Sequence, residues 1–531
     1  DYGGQTLQKN PAGYLVTGSD VTLTNGTFWM SGAMSIRDNT KIPAVLTIAT
    51  NATLRQTGNT DSSFIIDKDN GTATVNVVGG TFGKTSGDNS GFIQHASLNG
   101  RLNINVTDGG LLTFSSSRPL YALCGGNYGT TPSLYMMFSD ATFYVADTFK
   151  FGNGNEVSTA PTGVFAATNS TITVASTFEI GRNLRDEKKA GSYTFDFEDC
   201  IVTTRYFNVY HDRPLNNARF NKTRFVFRNT GKISTSDGAD NWITVGDNGL
   251  TLDTQAYTCE LNANLGGSGA VTKVGTGTLT VASNQTASAA FNVNEGTLAV
   301  NGGVSISRPM AVASGAKLQV NATDTASISS LTPATGSTLD IASYNGTTPL
   351  ALTSLTLPED GTVTLTKNNN FSQGKYRILE KTGIAVADVQ DKLVPVTTDN
   401  LAYSWSVEGN TLVLTVGNPT GFAWTGFAGD GKMSTPGNWL GNAAPGAGDP
   451  VDFSAVNVAT TVNADIDATL GAVTMGTGVI TFTNALTATS FTDTSKISVG
   501  ADSTVTIVGN LEISGEGDRN IVYTIAEGGK F

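Results

Sequence analysis

The sequence predicts an all-β chain: a right-handed parallel β-helix, or β-solenoid, with the start of a second β-solenoid module toward the C-terminus. Three observations predict it. Leucines recur about every 20 residues, at Leu279, Leu298, Leu318 and Leu339. Each opens an apolar–polar alternation ending in Val281, Val300, Val320 or Ile341, the period of a half-buried strand. Each follows a glycine (Gly277, Gly296, Gly315, Gly336) suited to a corner with positive φ. A unit of about 20 residues cannot cover its own apolar face, so successive units must stack at the inter-strand spacing of about 4.8 Å. Handedness follows only from the general rule for parallel crossovers.

The stretch GGSGAVTKVGTGTLTV, residues 266–281, is thus a corner-and-strand unit of a repeating coil. It is neither a flexible linker nor a phosphate loop, because no helix follows its glycines. A looser form runs toward the N-terminus: NGTFWM from Asn25, NATLRQ from Asn51, NGTATVNV from Asn70 and NSTITV from Asn169. Asn tolerates the left-handed region and bonds nearby backbone, so it suits corners, and stacked Asn can form ladders. The best helical candidate is VADVQDKL, residues 386–393, at about two turns. Coils of about 20 residues would give roughly 20 coils before residue 417, a rod near 100 Å.

Composition narrows the function. Of 531 residues only 14% are charged, and Gly reaches 61, with apolar residues spaced regularly enough to bury a core. With 32 basic and 44 acidic residues the net charge is −12, which disfavours nucleic acid and anionic lipid as partners. The three cysteines, Cys124, Cys200 and Cys259, are far apart and form no Cys-x-x-Cys pair, so neither a thiolate metal site nor a disulfide scaffold is expected. No run of 18 apolar residues occurs, so no transmembrane helix is expected in these residues. The opening DYGGQTLQKN has no secretion-signal pattern, and the closing AEGGKF follows strand-like sequence. Both predict a piece of a longer protein. Phe531 matches the terminal residue of many outer-membrane barrels, yet its neighbours lack the alternation of a barrel strand.

Residues 266–300 resemble the passenger-associated transport repeat of autotransporter proteins, also called the autotransporter-associated β-strand repeat. The resemblance rests on Gly266, Gly267, Gly269, Val271, Lys273, Gly275, Gly277, Thr278, Leu279, Asn284, Gly296, Thr297 and Leu298. It departs after Asn284, where NQTASAAFNV replaces the usual aromatic and glycine. Residues 376–417, with YRILEKTG and YSWSVEGNTLVLTV, resemble the closing hairpins of such a passenger module. WTGFAGDGKMSTPGNWLGNAAPGAGDPVDF, from Trp424 to Phe453, resembles the opening of a new solenoid module in large repetitive bacterial surface proteins. The expected organisation is a β-helix over 1–417, with the transport-repeat motif at 266–302, then a second, related module over 418–531. The break falls at GNPTG, near Pro419. The resemblance implies an exported, surface-displayed passenger of a Gram-negative bacterium, its signal and translocator outside these residues.

Parallel β-helices also include polysaccharide lyases and glycosidases, so residues 185–228 draw the search for chemistry. They hold Asp196, Glu198, Asp199, Arg205, Tyr206, Tyr210, His211, Asp212 and Arg213. A glycosidase needs two carboxylates about 5–10 Å apart. On TFDFED, inward Phe195 and Phe197 leave Asp196 and Glu198 facing solvent about 7 Å apart. The plainer reading is a solvated face, with Phe195 and Phe197 stacked on Phe225 and Phe227 and Glu198 meeting Arg228. The sharper reading makes Asp196, Glu198, Arg205, Tyr206, Tyr210, His211 and Arg213 a glycan-contact surface. His95 and His211 are too far apart in sequence to predict a metal site. DKDNG at Asp67 reads as a turn rather than a calcium loop, because Gly71 comes one position early. Trp424 and Trp439 read as pins of a module junction before they read as a sugar platform. No catalytic residue, cofactor or metal is expected. The expected role is an extracellular structural or adhesive passenger, with glycans or other surface proteins as partners. The alternatives are a polysaccharide-binding or polysaccharide-cleaving β-helix and a self-associating fibre module.

Overall fold

The computed structural model describes the chain except residues 1–6, 10–19, 31–43, 57–64, 67–70, 85–90, 96–99, 125–132, 153–161, 182–191, 211–215, 237–242, 322–323, 343–347, 373, 399–400, 402, 418–421, 441–442, 455, 457, 476–478, 494–495, 500–503, 514–523 and 526–531. The chain divides into two compact units, Asp1–Asn345 with Pro349–Val363, and Gly346–Thr348 with Thr364–Phe531.

The first unit is a parallel β-solenoid, as the alternation requires. One face is a ten-stranded sheet running from Val21–Leu23 to Leu265–Gly267. The other strands of each coil pair in two further parallel tracks; Leu111–Phe114 lies between Thr81–Lys84 and Thr142–Val145, and Leu120–Cys124 between Gly91–His95 and Phe149–Phe151. The repeating leucines stack in register, Leu279 on Leu298, Leu298 on Leu318, and Leu318 on Leu339.

The coils are not uniform, which corrects the count of about twenty. On the first face Asn105 lies beside Asn76, a step of 29 residues, and donates to it. Farther along the same face Arg219 lies beside Asp196, a step of only 23 residues. Beyond that face, in the motif region, Asn321 lies beside Asn301, a step of 20 residues. Long coils carry extra chain between strands, so the same length makes fewer of them. The predicted helix is also corrected: only the 3-10 turn Val386–Asp388 forms there.

Corners explain the Asn signal. Asn51, Asp108, Asp140, Asn169, Asp199 and Lys222 all have φ between +46° and +70° at the turn leaving the first face. Asn and Asp tolerate this region best because their short polar side chains bond locally. Here they also bond along the stack: Asn169 donates to Asp140, and Lys222 Nζ to Asp199 Oδ2 at 2.6 Å.

The core is an aromatic column. Phe165, Phe195, Phe197 and Phe220 line the first face from within, Phe165 stacking on Phe195 at 5.5 Å and Phe197 on Phe220 at 5.0 Å. Phe149, Phe178 and Phe207 pack edge-on or tilted from the opposite side, at 5.2 and 5.3 Å. Such pairs add about 0.5–1.5 kcal/mol each beyond area burial.

Ordinary pairing on the first face stops at Leu265–Gly267, and side chains replace the missing strand. The Gln285 Oε1 accepts from the Leu265 N–H at 3.2 Å, while its Nε2 donates to the Ala263 carbonyl at 2.8 Å. Fully buried Arg308 donates to the carbonyls of Leu265 at 2.6 Å, Ala289 at 3.1 Å and Gly269 at 3.2 Å. Gly269 has no alternative here, since a Cβ would sit 1.8 Å from the Gly246 carbonyl oxygen.

In the second unit, Thr411–Val416 pairs antiparallel with both Gly374–Glu380 and Tyr403–Glu408. The strands expected to close the first module therefore lie in this unit. Beyond them, parallel pairing resumes in a five-stranded sheet from Phe422–Ala423 to Thr504–Ile513 and a four-stranded one from Thr460–Asn463 to Thr524–Ile525. Trp424, Met433, Trp439, Phe453 and Phe482 share its core.

Candidate functional site

The strand Ser192–Glu198 forms because its aromatic positions alternate with polar ones. Phe195 and Phe197 are fully buried, which turns Asp196 and Glu198 to the outer surface. The next coil places Asn216–Asn221 beside it, Arg219 opposite Asp196 and Asn221 opposite Glu198. Arg219 bridges both carboxylates, with Nη1 2.7 Å from Asp196 and Nη2 3.2 Å from Glu198. The Asn221 amide donates to both Glu198 oxygens, at 2.7 and 2.8 Å. Hydrogen bonding to Asp196 is the main reason that the Arg219 guanidinium sits above its ordinary pKa.

This corrects the expected stacking. Phe225 and Phe227 pair with Val202 and Thr204 on another track, and Phe197 meets Phe220. Glu198 is thus held by Arg219 and Asn221, not Arg228. The reason is coil length: the neighbour of Asp196 along the axis is 23 residues on.

The other candidates do not gather around these carboxylates. Arg205 and Tyr206 lie on Ile201–Val209, at the irregularity between Thr204 and Tyr206. There the Arg205 guanidinium covers the Tyr206 ring at 4.8 Å and its Nε donates to the Thr230 carbonyl at 2.9 Å. Tyr210 follows that strand, its backbone N–H donating to the Ile180 carbonyl at 2.9 Å. His211, Asp212 and Arg213 lie outside the described residues, as do Asp67 to Asn70 of the turn candidate. His95 ends the strand Gly91–His95. Among the described residues no cluster of three or more His, Cys, Asp or Glu is arranged to hold a metal ion.

Two places escaped sequence reasoning. An open cleft of about 660 Å³ is lined by Arg224, Asp253, Gln255 and Glu295, among others. Its buried Asp253 is already engaged by Arg224 Nε at 3.1 Å and by the Gln255 N–H at 2.8 Å. A second cavity, in the other compact unit, is lined by Tyr403, Trp405, Phe427 and Trp439. Only the adjacency of YSWSV to a buried turn betrays it, and adjacency is not visible in sequence.

The motif residues are themselves placed. Lys273 is fully buried, and its Nζ donates to the carbonyls of Gly275, Gly277 and Glu295 at 2.5, 2.7 and 2.8 Å. Burial pushes its pKa down to about 8, against the pull of Glu295 and Asp253. Trp424 and Trp439 are 4% and 2% exposed and meet edge-on at 4.9 Å, a core pair. No helix among the described residues is long and apolar enough to cross a membrane. Compared with protein families, curated proteins and solved structures, the chain matches none.

Proposed function

We propose that this chain is a structural or adhesive passenger segment of a large repetitive bacterial surface protein, displayed outside a Gram-negative cell. The observation that carries the reading is where the transport-repeat residues are used. Leu279 and Leu298 stack, Lys273 ties three corner carbonyls, and Gly269 lets two coils approach. Every one of these serves to prolong the coil. The three carboxylates of 185–230 that the structure describes are all engaged by cations of the same face, Asp196 and Glu198 by Arg219 and Asp199 by Lys222, which suits a solvated face. Any binding along such a repeating surface would be polyvalent and weak per site.

The test is incubation of the purified chain with a panel of soluble polysaccharides, reading both retention and new reducing or unsaturated ends. The expected outcome is no new ends. New ends that vanish in Glu198→Gln would overturn the proposal and make residues 185–230 the active site of a polysaccharide-cleaving enzyme.

A further inference from the structure

The second compact unit holds a cavity of about 570 Å³, within the roughly 300–1,000 Å³ of small-molecule sites. Two separate stretches supply its aromatic wall. Tyr403 and Trp405 come from the strand Tyr403–Glu408, and Phe427 and Trp439 flank the turn containing Pro436–Asn438. Among the described residues Asp391 is the one charged group in the lining, with Gln390 beside it.

Two features do not suit a mere packing defect. Phe427 is 45% exposed, although the neighbouring Trp424 and Trp439 are buried. Trp405 is 3% exposed, and its Nε1 donor has no hydrogen-bond partner among the described residues. By contrast, Trp439 Nε1 donates to the Met433 carbonyl at 2.6 Å. Buried indole donors are ordinarily paired, so an orphan beside a cavity asks for an acceptor.

We infer that this cavity binds a neutral pyranose sugar. The C–H face of the ring stacks on exposed Phe427, and hydroxyls bond Asp391 and Gln390. An acceptor oxygen meets the Trp405 N–H once the indole turns toward the cavity. Asp391 repels acidic sugars and phosphate groups. A quaternary ammonium ion suits aromatic rings beside a carboxylate, but its cationic head offers the indole donor no acceptor. The inference deepens the adhesive half of the proposed role and rests on it.

The experiment is titration of the whole chain, followed by tryptophan emission and calorimetry. The probes are methyl glucoside, methyl galactoside, methyl mannoside, N-acetylglucosamine and, separately, choline chloride. Phe427→Ala removes an exposed ring, Asp391→Asn removes the charge, and circular dichroism checks that both variants fold. The expected result is saturable binding of at least one sugar, weakened about tenfold or more in both variants. Binding of choline alone, sugar binding unchanged in the variants, or no saturable binding at tens of millimolar would each overturn the inference. Absence of sugar binding leaves the stalk reading standing, whereas polysaccharide cleavage that depends on Glu198 removes that reading without involving this cavity.

Discussion

Lys273→Met tests how the repeat motif works. Its ammonium is fully buried among the carbonyls of Gly275, Gly277 and Glu295. Two effects oppose each other there. Three charge-assisted hydrogen bonds favour the cation. Loss of water disfavours it more, bringing the pKa from 10.5 to about 8. Because the folded value lies below the unfolded one, the unfolded chain binds more protons between them, and stability rises with pH. The contribution is complete above about 10.5 and is lost as pH falls through about 8. Integrated from pH 7 to pH 9.5, the gain is about 2 kcal/mol. Methionine keeps the apolar stem and removes the titration, so wild type should gain about that much over the variant across the interval. At pH 7 the variant also strands three acceptors while relieving a buried charge, for a net cost of about 1–3 kcal/mol. Repeat arrays unfold piecemeal, so the assay must be local. Pulse proteolysis in urea, with peptides from residues 265–301 read by mass spectrometry, gives a midpoint at each pH. Parallel midpoints in wild type and variant, differing by a constant within about 0.5 kcal/mol, would refute the reasoning.

The Cys200 and Cys259 thiols, pushed up to about 11 by burial, should react with iodoacetamide at pH 8 on the order of 100-fold slower than free cysteine. Peptide mapping of the native chain measures this, and labelling at the free-thiol rate contradicts it. Phe195→Ala removes a fully buried ring touching Phe165 and Phe178 and should cost about 3–5 kcal/mol locally, read as an early proteolysis midpoint in peptides from residues 162–235. Arg219→Met breaks an ion pair whose side chains are 41% and 43% exposed and should cost under about 1 kcal/mol by the same assay. A larger cost would mean that the bridge organises the face.

The sequence was legible where coils are short. Over residues 266–341 little chain separates strands, so leucine spacing is coil spacing, and the observed register of Leu279, Leu298, Leu318 and Leu339 follows directly. Before that, each coil carries extra chain between its strands. Alternation still marked the inward residues there, including Phe195 and Phe197. What it did not determine was the neighbour of each outward residue. Asp196 and Arg219 are partners because one particular coil spans 23 residues. That length is a sum of loop lengths, and no local pattern encodes it. Over residues 386–393 a 3-10 turn at Val386–Asp388 replaces the expected helix for a related reason. So short an apolar spacing gives too little length to outweigh the flanking strands. The aromatic cavity was invisible because its two walls, Tyr403–Trp405 and Phe427–Trp439, are joined only by folding.

The glycines and lysine of residues 266–277 acquire a physical meaning at the place where coil length changes. A solenoid whose first-face pairing stops at Leu265–Gly267 leaves buried donors and acceptors facing along the axis. Left unpaired, each would cost about 1–3 kcal/mol. Gln285 takes the Leu265 N–H and the Ala263 carbonyl, and Arg308 takes the Leu265, Gly269 and Ala289 carbonyls. Lys273 does the same at the next corner, where Gly275 needs its φ of +82° to present a carbonyl to the ammonium. Cations in the core of a solenoid would be a poor choice for stability alone, since apolar packing of equal volume serves at least as well. They suit a position where strand pairing must end and a shorter coil must begin, because only a side chain can supply hydrogen bonds where the backbone has gone elsewhere.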